Sequence, residues 1–195
     1  AADCTGHGVS GAFMSINAHH LLNQAIYPYS DLKAAEVLDR VNQSLIKGMH
    51  QHEEGSVLDG MDVALCILDQ DKKHLQYAGA NNPLYLVRDK QVIQTKANRF
   101  AIGLSLKGKP VNTFTNHEIE LRPGDQLYLF SDGYADQLGG KEGNEKFMYT
   151  RFRDLLISVT SENMETQVGI LDKSLKEWQK DQAQLDDILV IGFKI

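Results

Sequence analysis

The run Gln126-Leu127-Tyr128-Leu129-Phe130-Ser131-Asp132-Gly133 determines how this chain of 195 residues is organised. Its nearly continuous apolar residues, with aromatics among them, predict a buried strand. Pro123-Gly124-Asp125 is a turn signal that starts the strand. Because the strand ends on an acid followed by a glycine, we expect the carboxylate of Asp132 to lie where a core strand emerges from its sheet.

Two further acidic segments have similar settings elsewhere in the chain. Asp3 precedes the glycine-punctuated run Cys4-Thr5-Gly6-His7-Gly8, and Asp186-Asp187 opens the apolar strand at 188–193. Carboxylates from distant parts of a chain, each at a glycine turn or a strand end, are the ligands that a hard cation requires. Each segment alone is also open to a structural interpretation: a glycine-rich helix entry, a turn after a strand, or a solvated acidic pair.

Other polar residues are interpreted more conservatively. His7 alone is typical of a hydrogen-bonded structural histidine, whereas in a metal site it would stand behind the ligands or donate a proton. Asp62 precedes an apolar strand and is interpreted as structural, and Asn81 as a turn residue. The chain has no Gly-x-Ser-x-Gly elbow, Walker loop or Cys-x-x-Cys pair, which argues against serine hydrolases, nucleoside triphosphatases and zinc sites.

The composition, 42% hydrophobic and 24% charged residues, is that of a globular chain with a sizeable core. The formal net charge is −6 and there is no basic block, which argues against a nucleic-acid partner. Cys4 and Cys66 are expected to be free thiols in a reducing, cytoplasmic compartment. The length favours one domain spanning 1–195, and the start at Ala1 without an initiator Met suggests a piece of a longer protein.

Hydrophobic periodicity predicts two helices, a meander of strands, two more helices and a last strand. We expect Ser10 to cap the first helix, the second helix to begin near Asp31, and Gly139 to Gly143 to form a flexible surface loop. Strands are predicted at 61–68, 75–79, 84–87, 91–95, 111–121 and 188–195. Short connections between the strands favour antiparallel pairing, and the segregation of helices from strands favours an α+β fold.

Together, the segments Asp3-Cys4-Thr5-Gly6-His7-Gly8, Ser131-Asp132-Gly133 and Asp186-Asp187-Ile188 resemble the protein phosphatase 2C (PPM) family, in its bacterial SpoIIE-like branch. That branch shows Asp-x-x-Gly-His-Gly before a helix, Thr/Ser-Asp-Gly after a strand and Asp-Asp-Ile at the last strand. Residues 77–83 and 121–125 are also similar to the family, so the resemblance extends over the whole chain.

The resemblance implies an antiparallel β-sandwich flanked by helices and a serine/threonine phosphoprotein phosphatase that uses two Mn²⁺ or Mg²⁺ ions. Asp3 would bridge the ions, with the Cys4 backbone carbonyl on one of them, and Asp132 and Asp186 would hold the other. His7 would be the catalytic side chain. The implied substrate is a phosphoserine or phosphothreonine on a regulatory protein, which metal-activated water would attack. A sensor domain preceding the chain in the full-length protein is a further possibility.

The sequence departs from the family pattern in two places, and the first departure leaves an alternative open. The family has an earlier acidic motif, Gly-Asp followed by an aromatic and another Asp, on strands that would precede Ala1; the fragment is therefore expected to lack N-terminal strands. Where the family often has Ala-Gly-His-x-Pro, this chain has Ala78-Gly79-Ala80-Asn81-Asn82-Pro83. The alternative is a catalytically silent module that keeps the phosphatase fold and binds a regulatory partner.

Overall fold

The computed structural model describes residues 1–6, 8–27, 32–49, 60–69, 71, 73–104 and 111–195. The helices are α1 (Gly8–Ile26), α2 (Ala34–Met49), α3 (Gly133–Asp136), α4 (Met148–Ser158) and α5 (Met164–Gln179). The strands are β1 (Ala2–Cys4), β2 (Met61–Leu68), β3 (His74–Ala80), β4 (Leu84–Arg88), β5 (Gln91–Thr95), β6 (His117–Glu120), β7 (Gln126–Phe130), β8 (Leu138–Gly139), β9 (Glu145–Lys146) and β10 (Val190–Lys194). The ladders between these strands are antiparallel, which confirms the predicted α+β class.

The chain divides into two compact units, and each is described by itself. The N-terminal unit comprises residues 2–83 and 96–121, and the C-terminal unit comprises residue 1 with 84–95 and 122–195. Both units are discontinuous in sequence because the hairpin of β4 and β5 belongs to the C-terminal unit.

A four-stranded sheet in the order β1-β2-β3-β6 forms the N-terminal unit together with α1 and α2. The apolar side chains of α2 at helical spacing face the core, and Leu38, Val41 and Leu45 are each at most 1% exposed. They share one core cluster with Met14 of α1 and with Val63 of β2. Burial of these side chains stabilises the helix, as expected for a short amphipathic helix whose propensity alone is insufficient.

The C-terminal unit contains a second sheet in the order β10-β7-β4-β5. All five residues of β7 are buried, because this strand pairs on one side with β10 and on the other with β4. Phe130 at its end packs on the rings of Tyr85 and Phe152, whose ring centroids lie 4.7 and 5.1 Å away. The predicted central strand is therefore confirmed and ends in an aromatic core.

Three local predictions were wrong. Ser10 lies inside α1, which begins two residues earlier at Gly8. Residues 111–116 carry no strand, so the predicted strand at 111–121 shrinks to β6. The segment from Gly139 to Gly143 is not simply a surface loop, because Gly139 belongs to β8 and both Gly139 and Gly140 are buried. The expected helix start at Asp31 lies outside the described residues.

Within the described part of the chain, no helix combines the length and the apolar character that crossing a membrane requires. Both cysteines are free thiols, as predicted.

Candidate functional site

Asp132 is placed by the strand before it and the helix after it. It follows the buried strand β7 by two residues and occupies the position just before α3. Its side chain is half-buried, whereas the residues on both sides of it, Ser131 and Gly133, are buried. The prediction that this carboxylate lies where a core strand leaves its sheet is therefore confirmed.

The segment carrying Asp186 and Asp187 lies against the turn that contains Asp132. The amide of Ser131 donates to the carbonyl of Leu189 at 3.0 Å, which extends the β7–β10 ladder beyond its last regular pair. The Ser131 hydroxyl donates to the Asp187 carbonyl at 2.8 Å and accepts from the Leu189 amide at 2.9 Å. The structure thus joins two of the three predicted acidic segments.

Gly133 lets this contact form. A Cβ atom at this position would lie 2.5 Å from the carbonyl oxygen of Asp187, too close for any L side chain. The φ angle of Gly133 lies outside the left-handed region, so backbone conformation does not require a glycine here. The glycine is needed because the backbone of Asp187 approaches it closely. Both Asp186 and Asp187 are exposed, so their carboxylates face solvent in this part of the unit.

A cation accompanies the acidic turn. The ammonium group of Lys146 lies 2.7 Å from a carboxylate oxygen of Asp136, at the end of α3. The hydrogen bond and charge of Asp136 raise the pKa of Lys146, and the negative charge of Asp132 adds to the effect. The ammonium group of Lys146 on β9 therefore interacts electrostatically with Asp132, a predicted metal ligand.

In the N-terminal unit, Asp3 lies within strand β1. It pairs directly with Asp62 of β2, so the two side chains leave the same face of the sheet. Asn81 donates to the Asp62 carboxylate at 2.7 Å. Burial raises the pKa of Asp62, and the hydrogen bond from Asn81 partly opposes that rise.

Asp62 was interpreted from sequence as structural, and its position beside Asp3 was missed. The sequence did contain a signal for this pairing. If residues 2–4 are recognised as a strand that pairs with β2, Asp62 near the start of β2 lies opposite Asp3. Cys4 lies next to Asp3, and burial first, then the charge of Asp3, raises the pKa of its thiol, while a hydrogen bond with Ser15 lowers it.

The remaining predicted site residue, His7, lies outside the described residues. Across the described ranges, no group of three or more His, Cys, Asp or Glu side chains is close enough to hold a metal ion. The predicted ligands are divided, with Asp3 and Cys4 in the N-terminal unit and Asp132 and Asp186 in the C-terminal unit. Their chemistry, carboxylate and carbonyl oxygen throughout, fits Mn²⁺ or Mg²⁺.

Sequence reasoning also missed Gln137, which follows α3 and is 1% exposed. Its side chain donates to the carbonyl of Ala183 at 2.9 Å, three residues before Asp186. No sequence pattern marks this glutamine, because its partner is a backbone atom 46 residues away.

Comparison with known proteins identifies a family. The family model for stage II sporulation protein E (SpoIIE) matches residues 1–195. No curated protein matches the sequence.

Solved structures of phosphatase domains are similar to the chain. The SiaA-PP2C domain of Pseudomonas aeruginosa is 31% identical with a TM-score of 0.86, and the match covers 100% of this chain and 74% of that one. The PP2C phosphatase domain of SpoIIE from Bacillus subtilis, solved with a fragment of its regulatory domain, is 19% identical with a TM-score of 0.71 over 98% of this chain and 51% of that one. The catalytic domain of the serine/threonine phosphatase PstP, in complex with two manganese ions, is 20% identical with a TM-score of 0.61 over 98% and 84%.

Proposed function

The chain belongs to the SpoIIE family of PP2C-type phosphatases, and we propose that residues 1–195 act as one metal-dependent serine/threonine phosphoprotein phosphatase domain. The PP2C fold supports a serine/threonine protein phosphatase. The observation that carries the metal-dependent part is the contact of the Ser131-Asp132-Gly133 turn with the segment of Asp186 and Asp187. This contact brings together two acidic segments that are 54 residues apart in the sequence (186 − 132).

Asp132 and Asp186 would supply carboxylate oxygens for one divalent ion, and Asp3 with the Cys4 backbone carbonyl would supply oxygen ligands for a second. When bound, such ions lower the pKa of a shared water and neutralise phosphoryl oxygens during in-line attack. Hard oxygen ligands select Mn²⁺ or Mg²⁺ for that role. The PstP structure, which contains two manganese ions, supports manganese as the first metal to test.

The chain's own residues would perform the remaining tasks. Buried β7 and the hydroxyl of Ser131 hold the acidic turn in place, so the ligands need little reorganisation on binding. Lys146 supplies positive charge near Asp132 and offsets part of the local negative charge. His7 would donate a proton to the serine or threonine oxygen that leaves the phosphoryl group.

The proposed substrate is a phosphoserine or phosphothreonine on a regulatory protein. Support comes from the solved neighbours, since the SpoIIE structure carries part of a regulatory domain and another contains the RsbU and RsbW domains of one mycobacterial protein. The formal charge of −6 is compatible with a site that approaches a phosphate only after cations have bound.

The test is hydrolysis of a phosphoserine peptide with and without Mn²⁺, using Asp132→Asn and Asp3→Asn. We expect each change to lower the Mn²⁺-stimulated rate by at least about 100-fold, because each removes a charged ligand. Asp154→Asn is the matched control, since Asp154 is exposed on α4. Undiminished activity in both site variants would rule out the proposed site, whereas binding of a phosphorylated partner without hydrolysis would favour the silent module.

A further inference from the structure

We propose that Gln137 is a positioning residue that holds the segment bearing Asp186 in place relative to Asp132. The inference rests on the proposed function, because the relative placement of these two carboxylates matters only if they bind a common metal ion. It assigns a task to a buried glutamine that the ligand set itself does not include.

The position of Gln137 links the two acidic segments. Four residues, those of α3, separate Asp132 from Gln137. The side-chain amide of Gln137 donates to the carbonyl of the next residue, Leu138, at 3.0 Å and to that of the distant Ala183 at 2.9 Å. Ala183 is three residues before Asp186, so one side chain connects the end of one acidic segment with the approach to the other.

The orientation of this amide is fixed by its surroundings. Both neighbours of the Nε2 atom are carbonyl oxygens, which accept hydrogen bonds, so the donating end must face them. The opposite end is the Oε1 atom, and among the described residues it is the one buried side-chain nitrogen or oxygen that has no hydrogen-bond partner. A buried acceptor without a donor destabilises the folded chain. A methionine of similar volume would have no unpaired buried oxygen. The amide is therefore better explained by the hydrogen bonds that its nitrogen donates to the carbonyls of Leu138 and Ala183.

The backbone of Gln137 is itself anchored, which a positioning residue requires. Its carbonyl accepts a hydrogen bond from the indole of Trp178 at 3.1 Å and one from the amide of Phe147 at 3.0 Å. The rings of Phe147 and Trp178 also contact each other edge to face, with centroids 5.4 Å apart. Contacts with Trp178 of α5 and with Phe147 at the start of α4 therefore fix the backbone of Gln137.

Hydrogen bonds rather than burial restrain the segment that Gln137 holds, and local ones join Gln182 to Gln179 and Gln184 to Asp186. Residues 181–187 are all exposed, so burial contributes little to their position. Gln137 holds this segment before Asp186, and Ser131 holds it afterwards through Asp187 and Leu189. Two buried polar side chains on either side of Asp132 thus restrain both ends of the segment that presents Asp186.

The test compares Gln137→Met with Gln167→Met. Gln167 is a second buried glutamine of the same unit, 2% exposed, and it bonds to Tyr128, Gln126 and Glu162 rather than to the acidic segments. Two quantities are measured: the Kd for Mn²⁺ by calorimetry, and amide hydrogen exchange of residues 183–189 in the metal-free chain.

For Gln137→Met we expect exchange in residues 183–189 to accelerate about fivefold, as loss of one net hydrogen bond allows. We expect Mn²⁺ affinity to fall about 10-fold or more, the usual effect of removing a group that orients a ligand. Gln167→Met should lower the melting temperature while leaving both quantities unchanged. This contrast separates positioning from general loss of stability.

Unchanged exchange in Gln137→Met, or an equal loss of Mn²⁺ affinity in both variants, would overturn the inference. If Gln137→Met does not fold, Gln137→Asn provides the same test, because its amide is kept but is one methylene too short to reach Ala183. Absence of Mn²⁺ binding by the unmutated chain would overturn the proposed metal site instead, and the exchange of 183–189 then decides alone whether Gln137 holds the segment.

Discussion

The hydroxyl of Ser131 lies 2.8 Å from the carbonyl oxygen of Asp187 and 2.9 Å from the amide nitrogen of Leu189, and it bonds to both. Ser131 is 3% exposed, whereas the backbone groups that it bonds to belong to the exposed residues Asp187 and Leu189. One side chain therefore satisfies a donor and an acceptor that the strand ladder leaves unpaired where β10 begins. The serine of the Ser-Asp-Gly turn thus bonds to the backbone of the other acidic segment.

Replacing Ser131 with alanine removes both bonds and leaves two backbone groups without partners. We expect Ser131→Ala to lower the free energy of unfolding by about 2 kcal/mol, measured by urea denaturation. Mn²⁺ affinity should fall as well, because the Asp186 segment loses a restraint. Ser131→Thr is the matched control, since it keeps the hydroxyl and should retain most of the affinity. Equal effects of alanine and threonine would show that steric fit at this position, not the hydroxyl, matters.

Gly133→Ala should displace the same segment without removing a hydrogen-bonding group. The new Cβ atom would lie 2.5 Å from the Asp187 carbonyl oxygen, so the backbone must move. We expect weaker Mn²⁺ binding and a loss of about 1–3 kcal/mol from overpacking. The control is Gly169→Ala in α5, where a Cβ meets nothing within 4 Å and helix propensity favours alanine by up to about 1 kcal/mol. Full Mn²⁺ affinity in Gly133→Ala would argue against a close fit between the two segments.

The elements that sequence predicted well are those whose pattern depends on local spacing. β2 and β5 begin and end where the sequence predicted, because each is an uninterrupted run between clear turn signals. The position of Asp132 after β7 was predicted correctly for the same reason, since a nearly continuous apolar run predicts a buried strand that ends before the first acid. The acidic segments could be grouped only through the family resemblance, because nothing in the spacing of residues 3, 132 and 186 brings them together.

The features that sequence could not supply depend on contacts between distant residues. Helical spacing places Met14, Ala18 and Ala25 on one face of α1, and the structure buries them. The spacing does not explain why the apolar residues Val9, Phe13 and Ile16 of the same helix stay at least 70% exposed. Gly139 is buried because it lies against the carbonyl of Trp178, 39 residues later in the chain. Glycine-rich runs are typical of surface loops, and only that contact shows why this one is not.

Asp125 forms a buried ion pair with Arg88. Its carboxylate accepts two bonds from the Arg88 guanidinium, at 2.8 and 2.6 Å, and its side chain is 2% exposed. We expect Asp125→Asn to lower the free energy of unfolding by about 3 kcal/mol at pH 7, because Arg88 is left without its buried partner. The control is Asp172→Asn, which breaks an exposed pair with Lys176 and should change stability by less than about 0.5 kcal/mol.

The same pair predicts a pH dependence. Burial acts to raise the pKa of Asp125, but the hydrogen bonds from Arg88 and from the Arg122 amide, with the charges of both arginines, lower it overall from 3.8. The folded-state pKa is therefore below the unfolded one, so the stabilisation is present above pH 3.8 and is lost as pH falls through the folded value. In urea denaturation, the difference in the free energy of unfolding between the unmutated chain and Asp125→Asn should become smaller below about pH 4. A difference that stays constant down to pH 2 would contradict this assignment.

Cys66 should be unreactive towards thiol reagents in the folded chain. It lies in β2 opposite Tyr77, and burial raises the pKa of its thiol to about 12. At pH 8 only roughly one thiol in 10⁴ is then ionised, and the thiolate is the reactive form. Burial also raises the pKa of Cys4, so labelling by a chromogenic disulfide should be slow in the native chain and release two equivalents in denaturant. Cys66→Ala should leave the native rate unchanged and reduce the denatured yield to one equivalent; a fast native phase that this substitution removes would show that Cys66 is accessible.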